Sequence, residues 1–343
     1  MPSERRYAIQ FDATGGEYFR IWIVNVALSI ITFGIYSAWA TVRTRRYFYG
    51  KTSLDGTPFQ FTAKPVPILI GRVIALAIFG TYSVLGQVNP LWAIGFLFFV
   101  IFPLLPWMVV KSQQFRARYT VWRNIPFRFT GTYKEALIVY VGFGVLTIIT
   151  AGVLLPLLWK YAAKFQFNNL HYGSSKFSFD EETKGFWSTF WIAAGITIGG
   201  AFVLSILGSL LGLIGGLGPS ISPAGLALTL VMVYGPLFFA AFFVQVRLFN
   251  LSLGGTSLED VGFVPNMRVR GWAWVQLSNV LLLIVTLGIA YPWTLVRSAR
   301  YKLEHLELVS DTGFNFEGFA DRSKVGAAGA EISSDFGFEI SLF

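Results

Sequence analysis

The stretch LSIITFGIYSAWATVRTRRY, residues 28–47, changes from an apolar run to a cationic run around a single glycine. Two related stretches follow, LTIITAGVLLPLLWKYAAKF at 146–165 and LLLIVTLGIAYPWTLVRSARY at 281–301. A glycine permits the positive φ that ends a helix, and a proline after it suits the first turn of a new helix. Each stretch therefore predicts a helix, a break at the glycine and a second short helix.

We name these three breaks the elbows. Tryptophan prefers the level of the lipid headgroups, and cations lie just beyond it. The elbows are therefore expected to mark points where the chain leaves the membrane. The alternative is a broken helix that exposes backbone groups to a ligand, as in transporters. The predicted elbow residues are Gly34, Trp39, Arg43, Gly152, Pro156, Gly288, Pro292, Trp293 and Arg297.

The composition is typical of a membrane protein. Hydrophobic residues make up 54% of the chain and charged residues 13%, whereas soluble domains carry about 25% charged residues. A membrane-spanning helix needs about 20 apolar residues, and five blocks without any charged residue or histidine are long enough to hold one or more. These blocks are residues 21–42, 73–110, 136–159, 185–246 and 271–296.

Two of these blocks contain a turn composition and so predict a helix pair. The turns are GQVNP at 86–90 and GGLGPSISP at 215–223. The sequence thus predicts an all-α polytopic membrane protein with about seven hydrophobic helical segments in a lipid bilayer. Glycines at four-residue spacing in the fifth segment, such as Gly195 and Gly199, predict a tight helix crossing within the monomer or in a homo-oligomer.

Polar segments between the blocks contain a Phe–X–Phe pattern, which is typical of half-buried strands. They are PFQF at 58–61, PFRF at 126–129, KFSF at 176–179 and GFNF at 313–316. The pair Asp55–Gly56 favours a two-residue hairpin turn. We therefore expect short β-hairpins on one membrane face. The chain end FGFEISLF, 336–343, also alternates and is expected to dock on these hairpins or on a protein partner.

The elbows align at fixed offsets, which predicts internal duplication. Matched positions in the first and third stretches include Asn25 with Asn279 and Thr32 with Thr286. The predicted divisions are an N-terminal polar segment (1–16), repeat one (17–130), repeat two (131–266), a partial third repeat (267–316) and a C-terminal tail (317–343).

Two asparagine–threonine pairs are the polar residues of interest inside the charge-free blocks. Asn25 and Thr32 are two helical turns apart and share a helix face, as do Asn279 and Thr286. They predict either interhelical hydrogen bonds that hold segments together or the lining of a polar path. Because no ionisable residue accompanies them, a proton-coupled pump is not indicated.

The path of the chain through the membrane has two solutions. If the first, fourth and seventh segments cross it, the Lys and Arg residues divide between both faces. If these segments turn back at the glycine, all 27 Lys and Arg residues share one face. The length of these segments favours crossing. The absence of charge from the turns at 86–90 and 215–223 favours turning back. The Lys/Arg-rich segments are expected to be mainly cytoplasmic.

Catalytic chemistry is not indicated. The chain has no cysteine and two histidines, His171 and His305, and neither lies at the spacing of a helical metal pair. The glycines near residue 215 do not precede a Lys-Ser/Thr pair, so they form no phosphate loop. We therefore expect no enzyme, no cofactor and no metal. No aromatic–basic motif lies outside the membrane blocks, which argues against nucleic acid.

The elbow motif, Asn–x6–Thr–x–Gly followed by Pro/Ala–Trp–x3–Arg–x2–Arg–Tyr, resembles the YjgN-type family of bacterial inner-membrane proteins. The resemblance covers nearly the whole chain, including LDGTPFQF and the closing FGFEISLF. It implies a multi-pass protein of the bacterial inner membrane and carries over no catalytic or ligand residue. The second elbow departs from the motif, with Phe143 in the place of the asparagine and Lys164 in that of an arginine.

Two functions remain after these exclusions. The favoured one is a transporter or channel-like protein for a small or lipid-like substrate, and a cavity lined by the two asparagine–threonine pairs would support it. The alternative is a non-transporting scaffold that binds a protein partner through its cytoplasmic hairpins and tail.

Overall fold

Helices and strands alternate regularly along the chain. The computed structural model describes residues 5–215 and 223–310. Its helices are α1 Gly15–Ile31, α2 Ser37–Gly50, α3 Pro65–Val88, α4 Pro90–Phe96, α5 Phe102–Tyr119, α6 Tyr133–Ala136, α7 Phe143–Ile149, α8 Leu155–Asn168, α9 Thr183–Gly215, α10 Pro223–Gly254, α11 Val269–Val285 and α12 Tyr291–Glu304. Two π-helical turns, Leu97–Ile101 and Leu137–Gly142, join α4 to α5 and α6 to α7.

The strands are short and lie between the helices. They are β1 Arg5–Phe11, β2 Thr52–Leu54, β3 Thr57–Pro58, β4 Gln60–Phe61, β5 Thr120–Trp122, β6 Ile125–Phe129, β7 Leu170–Tyr172, β8 Ser175–Phe179, β9 Thr256–Leu258, β10 Val261–Pro265 and β11 Leu306–Ser310. The predicted Phe–X–Phe strands are present in β4, β6 and β8, where Phe61, Phe129, Phe177 and Phe179 are buried. Residues 313–316 and 336–343 lie outside the described residues.

All of these strands join in one antiparallel sheet that nearly closes into a barrel. The order is β3-β2-β1-β11-β10-β9-β8-β7-β6-β5-β4. The two ends of this order, β3 and β4, are separated in the chain only by Phe59. Because β3 pairs with β2 and β4 pairs with β5, the segment 57–61 links the two ends of the sheet. The prediction of an all-α fold is therefore corrected. Isolated hairpins are marginally stable, and joining them edge to edge also covers their unpaired backbone groups.

Two-residue turns connect the strands at the end of the barrel that lies away from the helices. At the predicted Asp55–Gly56 turn, Leu54 pairs with Thr57, and the two turn residues have φ values of 49° and 69°. Turns of the same length join β5 to β6, β7 to β8 and β9 to β10.

Five helical hairpins rise from the other rim of the barrel. Each begins after one strand and ends before the next, so both ends of every hairpin lie at the sheet. The hairpins are α1–α2, α3–α5, α6–α8, α9–α10 and α11–α12. The described residues contain four helices long and apolar enough to cross a membrane, all in the second and fourth hairpins: Pro65–Val88, Pro90–Tyr119, Thr183–Leu210 and Thr229–Gly254. Where the sequence predicts about seven hydrophobic helical segments, the described residues contain these four candidate spans and three shorter hairpins.

The three shorter hairpins turn at the predicted glycines. At each elbow a residue with φ of 48° or 49° precedes a glycine with φ between 87° and 90°: Phe33–Gly34, Ala151–Gly152 and Leu287–Gly288. Thr32 donates its hydroxyl to the Leu28 carbonyl at 2.7 Å and accepts the Tyr36 N–H at 2.9 Å. Thr150 and Thr286 make the same pair of bonds. The predicted breaks are present, and the chain returns from each to the sheet.

The fourth hairpin contains the predicted tight helix crossing. A Cβ atom added to Gly200 in α9 would lie 2.8 Å from the Cβ of Pro236 in α10. Gly208 likewise leaves no room for a side chain beside Met232. Gly195 and Gly199 face open space. The crossing therefore lies within the monomer, and its two contact glycines are Gly208, which belongs to the predicted four-residue series, and Gly200, which does not.

Candidate functional site

We call the helix that leads back to the sheet in each hairpin its returning helix. The returning helices and the barrel line a cavity of about 420 Å³, which we name the central cavity. Its walls are the last turns of α2, α5, α8 and α12, and its floor is formed by inner residues of the barrel. The lining residues are Ile9, Thr44, Arg45, Phe48, Tyr49, Thr52, Phe59, Gln113, Arg116, Ala117, Thr120, Phe127, Gln166, Leu170, Leu295, Ala299 and Leu303.

A shared capping bond brings the returning helices to the rim of the barrel. Thr52, Thr120 and Thr256, each the first residue of a strand, donate their hydroxyls to the carbonyl four residues earlier at 2.9, 2.9 and 2.6 Å. Such a bond gives a carbonyl of the last helical turn a side-chain donor, at the end of the helix where backbone donors run out. It also fixes the last helical turn against the strand, so that polar residues of α2 and α5 face the axis of the molecule.

The lining of the central cavity is positively charged. Arg45 from α2 and Arg116 from α5 are among the lining residues, and within residues 5–215 and 223–310 that lining includes no carboxylate and no histidine. The Arg45 guanidinium lies 5.6 Å from the centre of the Phe61 ring. A cleft with charges of one sign and low-dielectric walls concentrates the opposite ion. The central cavity is therefore suited to an anionic group.

Gln113 adds a buried donor to these two cations. Its side chain is only 6% exposed, and its Nε2 has no hydrogen-bond partner within the described chain. A buried donor left unsatisfied costs about 1–3 kcal/mol. An acceptor oxygen placed in the central cavity would remove that cost, which is a second and independent indication of a ligand with anionic oxygens.

The filled interior of the barrel closes the cavity on the side away from the helices. The buried cluster there consists of Leu54, Trp122, Tyr172, Phe177, Leu258, Val261 and Leu308. Tyr172 donates its hydroxyl to the Trp122 carbonyl at 2.9 Å, and burial raises the pKa of Tyr172 to about 12. The phenol therefore remains neutral at physiological pH. The barrel is a packed core of the kind that small barrels form, with side chains filling the interior.

The predicted polar path does not coincide with the central cavity. Thr32 and Thr286 use their hydroxyls inside their own elbows. Asn279 donates to the Thr294 carbonyl at 3.3 Å and to Ser298 at 3.1 Å, both within its own hairpin. Neither asparagine lines the central cavity, although both are buried. Their Oδ1 atoms have no hydrogen-bond partner within the described residues.

The predicted elbow residues likewise hold helices together and lie outside the central cavity. Trp293 packs on Phe19 of α1 with ring centres 5.1 Å apart, and Trp39 stacks on a neighbouring tyrosine of its own elbow. Arg297 donates to a serine of α11 at 2.9 Å, whereas Arg43 is exposed.

The two elbow prolines are buried and lie in the first turns of the returning helices. Pro156 is the second residue of α8 and Pro292 the second residue of α12, in the first turn that suits a proline. Ala38 takes the corresponding place in α2 and is also buried. These positions therefore shape the hairpins, and none of them is among the described residues that line the central cavity.

Sequence reasoning missed Arg45, Gln113, Arg116 and Gln166. They lie outside the charge-free blocks, in segments whose cations look like ordinary membrane-flanking residues. The available signal was local: KSQQFRARY, at 111–119, places Gln113 and Arg116 on one face of a helix, three residues apart. Their convergence with Arg45 depends on the closing of the barrel, which no short pattern encodes.

Comparison with known proteins agrees with a membrane location. The family described as "Bacterial protein of unknown function (DUF898)" matches residues 6–334. The "Inner membrane protein YjgN" of Salmonella typhimurium (strain LT2) is 26% identical over 89% of this chain and 89% of its own. The protein of the same name from Escherichia coli O157:H7 is 30% identical over 132 residues, 37% of this chain and 32% of its own. No solved structure matches the chain.

Proposed function

The chain belongs to the DUF898 family of bacterial proteins, and we propose that it is a transporter or channel-like protein whose central cavity binds the anionic group of a small or lipid-like substrate. The observation that supports this proposal is the lining of the cavity, in which two cations, Arg45 and Arg116, occur together with Gln113, whose Nε2 has no hydrogen-bond partner among the described residues. The cavity lies where helical hairpins meet at the barrel, between the bilayer and the water-facing side.

The orientation follows from the distribution of charge. Both ends of every hairpin lie at the barrel, and the turn at 86–90, which lies away from it, carries no Lys or Arg. Because Lys and Arg accumulate on the cytoplasmic side of bacterial membrane proteins, the barrel is assigned to the cytoplasm. The three elbows, with exposed apolar tips such as Phe33 and Leu287, then turn back within the bilayer.

The shared geometry of the elbows supports the proposal that they derive from duplicated units. Three breaks with the same pair of φ values and the same threonine bonds are unusual in unrelated segments. The repeat boundaries at residues 130 and 266 stay predictions, as do the lack of enzymatic activity and the existence of a homo-oligomer or protein partner.

Reconstitution tests the proposed function. Proteoliposomes would be assayed for efflux of radiolabelled inorganic phosphate and for translocation of fluorescent phosphatidylglycerol, which represent the small and the lipid-like substrate. We expect one probe to move faster than in protein-free liposomes, and Arg116→Gln to slow it about tenfold, since a hydrogen bond to a charged group contributes about 1.5–3 kcal/mol.

The matched control is Arg128→Gln, because Arg128 is an exposed arginine of β6 outside the cavity. It should leave the rate unchanged. Movement of neither probe above the protein-free rate would contradict transport of these anions, and equal effects of the two variants would contradict a role for the central cavity.

A further inference from the structure

A second concave site lies on the outer, lipid-facing surface of the helices. It is a groove of about 560 Å³ between the first elbow, α3 and α5, and we name it the lateral groove. Its walls are apolar, with Leu76 and Phe79 of α3 facing Leu104 and Leu105 of α5. Leu76 is 69% exposed and Phe79 is 67% exposed. In a bilayer these side chains contact lipid directly.

Arg72 is the one charged residue among the described residues that line the lateral groove. It lies about 10 Å along α3 from the start of that helix, inside a segment with the composition of a membrane span. Its Nη2 donates to Thr41 Oγ1 of α2 at 2.9 Å, which fixes the guanidinium at the barrel end of the groove. Charged residues at such positions are costly and usually mark a functional site.

The length of the lateral groove matches one leaflet. Leu69 lines the groove one turn before Arg72, and from Arg72 the groove continues along α3 to Tyr82, about 15 Å at 1.5 Å per residue. The hydrocarbon core of a bilayer is about 30 Å thick, so the groove spans about half of it. The cation matches the charge of a lipid phosphate. The apolar walls beyond it match the length of a single lipid tail.

We propose that the lateral groove binds one acyl chain of an anionic phospholipid from the barrel-side leaflet, with the lipid phosphate on Arg72. Arginine is suited to phosphate because its planar fork can donate two parallel hydrogen bonds. The lateral groove shares no lining residue with the central cavity. This inference is therefore independent of the proposed function, and each can fail alone.

Native mass spectrometry of the full chain in detergent tests the inference, with palmitoyl-oleoyl phosphatidylglycerol and the matching phosphatidylcholine as probes. We expect one phosphatidylglycerol to bind about tenfold more tightly than phosphatidylcholine, and Arg72→Gln to remove that preference. Arg72→Lys, which keeps the charge without the fork, should retain part of it.

Two further variants separate the groove from general charge effects. Ile78→Trp enlarges a lining side chain six residues along α3 from Arg72 and should weaken both lipids while the preference persists. Arg128→Gln removes an exposed cation of β6 that lines neither the lateral groove nor the central cavity, and it should leave lipid binding unchanged. An equal affinity of the wild type for the two lipids, or a preference that survives Arg72→Gln, would overturn the assignment.

Discussion

Gly144 and Gly152 belong to the same helical hairpin but have different backbone conformations. Gly152 has φ of 90°, a region that costs an L-residue with a Cβ atom about 1–2 kcal/mol. Gly144 lies inside α7 with no atom near the position of an added Cβ. We expect Gly152→Ala to lower the free energy of unfolding by about 1–2 kcal/mol, and Gly144→Ala to raise it by up to about 1 kcal/mol.

Reversible unfolding in mixed detergent measures both changes. An equal decrease in the free energy of unfolding of the two variants would contradict this prediction. It would show that the added methyl group, and not the positive φ, determines the effect at Gly152.

Local chemistry explains what could be predicted at the scale of residues. The elbow glycines and the Asp55–Gly56 turn were identified because each needs a backbone that few residues adopt. Asn25 and Asn279 were correctly placed inside the helices, but their partners depend on packing. Arg45 gave no local signal, and the spacing of Gln113 and Arg116 does not reveal that they converge with it, because that convergence depends on residues distant in the chain.

At the scale of elements, the last helix is bound to the first loop. Arg300 of α12 donates to the Ala13 carbonyl at 2.7 Å, and Arg46 of α2 makes the corresponding bond to the Ala63 carbonyl at 2.9 Å. Each bond joins a returning helix to the start of the next hairpin. The bond of Arg300 therefore closes the ring between the two ends of the described chain, where β1 pairs with β11.

Hydrogen exchange tests this closure. Arg300→Gln should accelerate amide exchange in β1 about fivefold, since a net hydrogen bond of about 1 kcal/mol is lost. Arg297→Gln is the control, because Arg297 bonds only within its own hairpin in the described contacts. Exchange in β1 that is unchanged in Arg300→Gln, or equally fast in both variants, would show that strand pairing alone closes the ring.

Short sequence patterns predict single strands but not which strands pair with each other. Alternation of buried phenylalanines predicted β6 and β8, and turn chemistry predicted where a hairpin reverses. Which hairpins pair with each other is a matter of chain topology: β11 lies beside β1 although almost the whole chain separates them. The near-barrel therefore could not be read from the short patterns, and the all-α prediction followed from counting helices alone.

At the scale of the whole molecule, the central claim is that five helical hairpins rise from one side of a near-closed barrel, and that the elbows turn back inside the bilayer. The helices of the first hairpin are too short to cross a typical bilayer and return, because α1 has 17 residues, about 25 Å of helix. The four longer helices have the length and apolarity of membrane spans.

The natural absence of cysteine allows single-cysteine labelling to test this claim directly. Ser174 and Asp260 lie exposed in barrel turns, Gln87 lies exposed at the far turn, and Phe33 and Leu287 are elbow tips. Each would be replaced by cysteine and treated with a membrane-impermeant maleimide in intact spheroplasts and in inverted vesicles. We predict labelling of the two barrel turns only in inverted vesicles, of Gln87→Cys only in spheroplasts, and of the elbow tips in neither. Labelling of an elbow tip from the side opposite the barrel turns, or of the two barrel turns from opposite sides, would contradict the account.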